Sequence, residues 1–145
     1  MTTAFVLPTT TSGRFTATYK GVALTNSFID SGTNFYGFSD DTIAQCTGGN
    51  AGFYCAGQAI TLSPVFGSGS NTITLNLTLN STNSFPNSYS ALVGLGGDPA
   101  KFSNTSGNAP QNSFDFGLPF FIGRKVYTGM NGRVAETSTG PFVAF

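Results

Sequence analysis

The segment Phe28-Ile29-Asp30-Ser31-Gly32-Thr33 gathers the residue types that can hold one carboxylate for acid–base work. Phe28 and Ile29 can anchor a buried strand, and Gly32 lets backbone come close to the carboxylate of Asp30. Ser31 and Thr33 carry small hydroxyls that can hydrogen-bond a carboxylate and lock its orientation. An ordinary Asx-type turn uses the same residues, so Asp30 to Thr33 alone do not decide the matter. Histidine is absent from the chain. That removes Ser-His-Asp and Cys-His catalysis and every His-containing zinc site, leaving carboxylates, hydroxyls, a lysine or backbone groups.

The other acids have plainer expected uses. Ser39 reads as an N-cap, with Asp40 and Asp41 in the first turn of a short helix reaching about Cys46. Asp98 precedes Pro99 and reads as a turn residue. Asp115 stands just before Phe116-Gly117 and reads first as a turn residue or an acceptor for nearby backbone, and only second as part of a site. Glu136 lies in a polar stretch and is expected to be solvated. No second copy of the Asp30 motif follows, so the chain offers one such carboxylate.

Cys46 and Cys55 are too few for a four-ligand structural zinc site and too widely spaced for a C-x-x-C redox pair. A disulfide closing a short loop is the expected use and implies an oxidising compartment; two buried thiols are the alternative.

The elements that must position these residues are mostly strands. Hydrophobic residues make up 39% of the 145 residues and charged ones 8%, with Thr, Ser, Asn and Gly filling much of the rest. That mix suits pleated, half-buried strands and tight turns in a single domain over residues 1–145. Phe15, Ala17 and Tyr19 alternate with Thr16, Thr18 and Lys20, Gly21 turns the chain, and Val22 to Ile29 leads into Asp30. Ile60, Leu62, Val65 and Phe66 suggest one further strand. Ile73, Leu75, Leu77 and Leu79 mark another, alternating cleanly from Asn71 to Asn80. Ala91 to Gly97 reads as a short apolar strand, Asp98 to Ser113 as a surface loop, and Pro141 to Phe145 as a closing strand. One or two short helices complete the expectation.

Six basic residues balance six acidic ones and are scattered singly, so no nucleic-acid or membrane-surface partner is expected. No run approaches the roughly 18 apolar residues of a membrane helix. The stretch Met1 to Pro8 lacks the pattern of a signal peptide. Three sequons, at Asn76, Asn80 and Asn104, arise easily in an Asn- and Thr-rich chain and carry no weight.

The wider pattern resembles the carboxy-terminal lobe of pepsin-like aspartic peptidases. It rests on Asp30-Ser31-Gly32-Thr33, then Cys46 and Cys55, then Phe116-Gly117-Leu118-Pro119-Phe120-Phe121, then Lys125-Val126-Tyr127-Thr128-Gly129-Met130, and the ending Gly140 to Phe145. The run Phe114 to Arg124 looks closer still to a bacterial family of secreted pepsin-like proteins of uncharacterised function. The resemblance spans about Gly13 to Phe145. It implies a single mostly-β lobe, a pepsin-like half-barrel, in a secreted or periplasmic protein. It also implies a catalytic role for Asp30. Ser31 would bond the backbone of an opposing lobe, while Gly32 N–H and the Thr33 hydroxyl would each support one carboxylate oxygen. Gly117 would lie beneath the turn, where any side chain would collide with it. Ser31 departs from the commoner Thr, and Leu118-Pro119 from the usual polar residue after that glycine.

Such chemistry needs two carboxylates about 3 Å apart sharing one proton, with no metal or cofactor. The second would come from a complementary lobe or from a second copy of the chain, and the substrate would be a peptide or protein. Two rival readings remain: a secreted β-rich binding module without catalysis on the same fold, and a structural or assembly subunit.

Overall fold

The computed structural model describes residues 4–86, 88, 91–102 and 112–145. The chain is mostly β. Its strands are β1 (Val6–Pro8), β2 (Phe15–Tyr19), β3 (Val22–Ile29), β4 (Tyr36–Gly37), β5 (Ile60–Leu62), β6 (Val65–Ser68), β7 (Asn71–Thr74), β8 (Leu77–Leu79), β9 (Gly96–Gly97), β10 (Asp115–Phe116), β11 (Tyr127–Gly129), β12 (Val134–Ala135), β13 (Ser138–Thr139) and β14 (Phe142–Ala144). A four-residue helix, α1 (Leu118–Phe121), follows β10 directly. The largest sheet runs β7-β6-β2-β3-β10-β4-β9, beside a three-stranded sheet β1-β14-β11 and the pairs β5-β8 and β12-β13. Among the described residues these sheets do not close into a barrel.

The hairpin β2–β3 forms where Gly21, at φ +79°, makes the left-handed turn between the two strands. Its inward residues Phe15, Ala17 and Tyr19 are buried. They meet a run of packed rings: Phe38 stacked on Phe114 at 4.5 Å, Phe114 stacked on Phe116 at 4.2 Å, and Phe66 tilted against Phe116 at 4.4 Å. With 15 phenylalanines in the chain, this aromatic column is the main apolar mass of the core.

Two expected strands are each broken in two. Ile60–Leu62 and Val65–Ser68 belong to different sheets, as do Asn71–Thr74 and Leu77–Leu79. Together they make one long hairpin that bends across Ser63-Pro64 and Leu75-Asn76, with Leu75 N–H donating to Pro64 O at 3.0 Å. Pro64 has no N–H for the ladder, so pairing is interrupted there and the hairpin changes sheet. The alternation survives the bend, for Leu77 and Leu79 are buried and Ile73 and Leu75 half-buried. From Ala91 to Gly97, only Gly96–Gly97 pairs as a strand. The loop expected from Asp98 to Ser113 begins as a 3-10 turn, Pro99–Lys101, capped by the Asp98 side chain. Its stretch 103–111, including the sequon at Asn104, lies outside the described residues.

The helix expected from Ser39 to Cys46 is not formed. Ser39 Oγ donates to Asp98 Oδ1 at 2.7 Å instead of capping a helix. Asp40 closes a local turn, accepting from Thr42 N–H at 3.0 Å and Thr42 Oγ1 at 2.7 Å. Beyond it the backbone is extended: Cys46 N–H donates to Phe53 O and Cys55 N–H to Ala44 O, and the Cys46–Cys55 disulfide ties the two arms. Local side-chain bonds and a cross-linked pairing outweighed helix propensity over these few residues.

Asp40 anchors this region to β2. It is buried and accepts from Tyr19 Oη at 2.8 Å while pairing with Lys20 Nζ at 2.8 Å. Burial alone would raise its pKa, but the bonds from Lys20, Thr42 and Tyr19 outweigh burial and hold the carboxyl down at about 2. The ionised form is therefore bonded in the fold and not in the unfolded chain. Its contribution is complete above the ordinary carboxyl pKa of 3.8 and is lost as pH falls towards 2. Asp40→Asn should cost roughly 2 kcal/mol at neutral pH and progressively less below about pH 4. Urea melts at pH values on either side of that range check it.

Candidate functional site

The site is made by threading β10 between β3 and β4. Asp115 and Phe116 run parallel to Phe28 and Ile29 on one side and antiparallel to Gly37 and Tyr36 on the other. The connection from β3 to β4, Asp30 to Phe35, must therefore pass over the end of β10. Gly117 occupies that end. A Cβ there would stand 2.5 Å from Thr33 O and closer still to Phe35 O, so no side chain fits. Close contact is sealed by Leu118 N–H, which donates to Thr33 O at 2.6 Å.

Held against this strand end, Asp30 is half-buried and its carboxylate is gripped from its own turn. Gly32 N–H donates to Oδ1 at 2.7 Å and Thr33 Oγ1 to Oδ2 at 3.2 Å. Thr33 N–H closes the turn on Asp30 O at 3.3 Å, and Asp30 N–H is tied to Phe116 O at 3.2 Å. A Cβ on Gly32 would lie 3.0 Å from Asp30 Oδ1, which is why the N–H that supports that oxygen belongs to glycine. Ser31 and Gly32 are exposed at the crest of the turn. The residues expected to cluster, Asp30, Gly32, Thr33 and Gly117, are thus brought together, with Ser31 facing outward. Cys46 and Cys55 lie elsewhere and serve the hairpin described above.

Asp115 departs from its expected turn role. It lies in β10, 9% exposed, and its Oδ1 has no hydrogen-bond partner among the described residues. Burial pushes its pKa up to about 7; the Thr33 hydroxyl bond and the Arg14 charge oppose this, and the Asp30 charge adds to it. Its neighbour Phe28 carries the Arg14 guanidinium 4.0 Å above the ring, and Arg14 Nη1 donates to Asn26 O at 3.0 Å. Sequence reasoning undervalued Asp115. The available signal was an acid flanked by Phe114 and Phe116, alternation that would have placed it in a strand.

Among the described residues no group of three or more His, Cys, Asp or Glu side chains is gathered to hold a metal ion. What the arrangement can do is present one oriented carboxylate at an exposed turn, with a buried acid behind it. No helix among those residues is long and apolar enough to cross a membrane. The disulfide is consistent with an oxidising compartment.

Fold and site together define a mostly-β, disulfide-linked chain built around a glycine-supported carboxylate turn. The family described as "Protein of unknown function (DUF3443)" matches residues 1–145, and the chain belongs to it. No curated protein and no solved structure matches the chain.

Proposed function

We propose that the chain is one lobe of a pepsin-like aspartic endopeptidase, a half-barrel that contributes Asp30 to a pair of carboxylates. The observation that carries this reading is the grip on Asp30, with one oxygen bonded by Gly32 N–H and the other by Thr33 Oγ1 over a glycine that admits no side chain. An Asx turn used only for chain reversal has no need of a hydroxyl on the second oxygen or of a strand end threaded beneath it. The resemblance in order and spacing from Gly13 to Phe145 supports the same reading.

In the reaction, a water bound between Asp30 and its counterpart is deprotonated by the ionised carboxyl and attacks the peptide carbonyl. The protonated partner donates towards the carbonyl oxygen, and the tetrahedral intermediate collapses as the leaving nitrogen takes up a proton. Gly32 and Thr33 keep both oxygens of Asp30 in the plane this exchange requires. The counterpart comes from a complementary lobe or from a second copy of the chain. Exposed apolar residues support a mating surface: Tyr127 lies on β11, an edge strand among the described residues, and Met130 directly after it. Secretion into an oxidising compartment fits the disulfide.

The test is cleavage of an unstructured protein substrate at about pH 4, where a coupled carboxyl pair carries one proton. The chain is assayed beside Asp30→Asn. Turnover that falls by about three orders of magnitude or more with Asp30→Asn, while the fold persists, is expected. Turnover unaffected by Asp30→Asn, or binding of peptide with no turnover in any form, would leave the fold as a recognition module.

A further inference from the structure

The sheet β1-β14-β11 ends on β11, which pairs with β14 and, among the described residues, has no strand on its other side. In that pairing Tyr127 stands opposite Ala144 and Gly129 opposite Phe142, so Tyr127 shares a face of the sheet with two buried residues. Tyr127 is nevertheless 42% exposed. The cover over that face stops short of its last strand. Met130, directly after β11, is 72% exposed, and Val134 is 71% exposed. Arg133 N–H donates to Met130 O at 3.0 Å, closing a turn that keeps Val134 near Met130. An apolar patch therefore adjoins an edge whose outward backbone groups have no ladder partner among the described residues.

Charge is concentrated in the same segment. Residues from Ile122 to Val134 include three of the six basic side chains, Arg124, Lys125 and Arg133, and none of the six acids. Arg124 is half-buried and donates to Phe120 O, whereas Lys125 and Arg133 are exposed. The ion pairs formed among the described residues use Lys20 and Lys101 instead. We propose that this face docks a polypeptide unlike this chain, one that lays a strand with apolar and acidic side chains along β11. Its apolar residues cover Tyr127, Met130 and Val134, and its acids face Lys125 and Arg133.

Two other occupants fit less well. An anionic lipid surface matches the same side chains, but it cannot pair the free edge of β11, whose N–H and C=O groups would lose water with nothing in exchange. A second copy of this chain, in a twofold contact, sets Lys125 and Arg133 against themselves. Nor does it have acids to spare, for Asp40, Asp98 and Asp115 are buried, Asp30 is half-buried and only Asp41 among the aspartates is exposed. Self-pairing through this face is therefore weak, and it grows as salt screens the cations. For peptide hydrolysis, the counterpart of Asp30 then comes chiefly from an acidic-edged lobe, and activity of the chain by itself comes from a minor, salt-promoted self-pair. That consequence rests on the reading of the chain as one lobe of a peptidase; the docking surface does not.

The double substitution Lys125→Glu with Arg133→Glu turns the chain into a partner of the stated chemistry, so the probe is a charge-reversed copy. Sedimentation velocity is run at neutral pH on the unaltered chain, the variant and their equimolar mixture, at about 20 mM and about 500 mM salt, where screening is weak and strong. At low salt the mixture is expected to form a mixed dimer at least about tenfold tighter than either self-pair, and high salt should loosen it about tenfold or more. Adding Met130→Ser to both partners should weaken it further. Absence of a mixed dimer between folded partners overturns the proposal. So does a self-dimer of the unaltered chain that is as tight at low salt as at high, a measurement that needs no variant to fold. Vesicles of phosphatidylglycerol and phosphatidylcholine form the last arm, and tighter binding of the unaltered chain to them than to the charge-reversed copy would assign the face to lipid. No readout involves cleavage, so failure of the proteolytic reading leaves each of them unchanged.

Discussion

Gly117→Ala should destabilise the chain by roughly 3–5 kcal/mol, a large part of the total stability expected of a domain this size. The added methyl would meet two backbone carbonyls, those of Thr33 and Phe35, and not the yielding end of a side chain. Neither carbonyl can retreat freely. Thr33 O accepts from Leu118 N–H at 2.6 Å, and Phe35 immediately precedes β4, whose Tyr36 N–H is bonded to Leu95 O. Relief would require lifting the whole turn away from β10, at the loss of at least that buried hydrogen bond, worth about 1 kcal/mol net. The backbone dihedrals of Gly117 are ordinary ones for any residue, φ −66° and ψ −164°, so the penalty is one of space alone. Chemical denaturation against the unaltered chain measures it. A loss below about 1 kcal/mol would mean the turn is not pressed on the strand end, and the account of how Asp30 is held would fail with it.

Asp115→Asn should do the reverse under the right conditions and stabilise the chain. The folded-state pKa of Asp115 is raised from 3.8 to about 7, so the fold binds this proton more tightly than the unfolded chain does. At pH values below the ordinary carboxyl pKa both states are protonated and the group is neutral in its effect. As pH rises the unfolded chain sheds the proton first. Stability then falls until the folded group also ionises near 7, and stays lower above that. At 1.36 kcal/mol per unit, the full loss is bounded at about 4 kcal/mol, and an amide of the same shape escapes it. Asparagine is therefore expected to be more stable than the unaltered chain by about 2–3 kcal/mol at pH 8 and no better at pH 4. Unfolding midpoints at those two pH values decide the matter. If the variant were less stable at both, the carboxyl would have to be ionised and paired in the fold, contrary to its unpartnered Oδ1. Asp40 has the opposite slope, its stabilisation disappearing only as pH falls towards 2. With Asp115 protonated and Asp40 still ionised, the region around pH 4 is where these two groups jointly favour the fold.

Much of the site was legible in the chain itself. The hairpin Phe15–Tyr19 and Val22–Ile29 followed from the alternation of Phe15, Ala17 and Tyr19 and one glycine, because period-2 burial is a local property of residues. The turn Asp30 to Thr33 could be read for the same reason: each donor to the carboxylate lies within three residues of it. Pairing of Cys46 with Cys55 was foreseeable from a shortage of other uses for two cysteines. The segment before them was not. Ser39, Asp40 and Asp41 have the composition of a helix start, yet Asp98 claims Ser39, Tyr19 and Lys20 claim Asp40, and the strand-like pairing at Gln45 and Tyr54 claims the rest. Asp98, Tyr19 and Lys20 come from distant parts of the sequence, and a few kcal/mol of tertiary bonding exceeds the small propensity of a short helix.

The broken hairpin at Pro64 and the place of Asp115 have the same origin. Alternation showed which residues of Asn71 to Asn80 face inward, but the change of sheet depended on a proline in the partner strand. An acid between two phenylalanines is buried only because β10 inserts between β3 and β4 and Gly37 stands opposite it. The chain by itself determined a carboxylate on a glycine turn and the strand that delivers it, since both are written in neighbouring residues. Only the tertiary structure decided that this turn straddles Gly117 and that a second acid lies beneath it, because strand order is set by long-range packing, which no local window of residues contains.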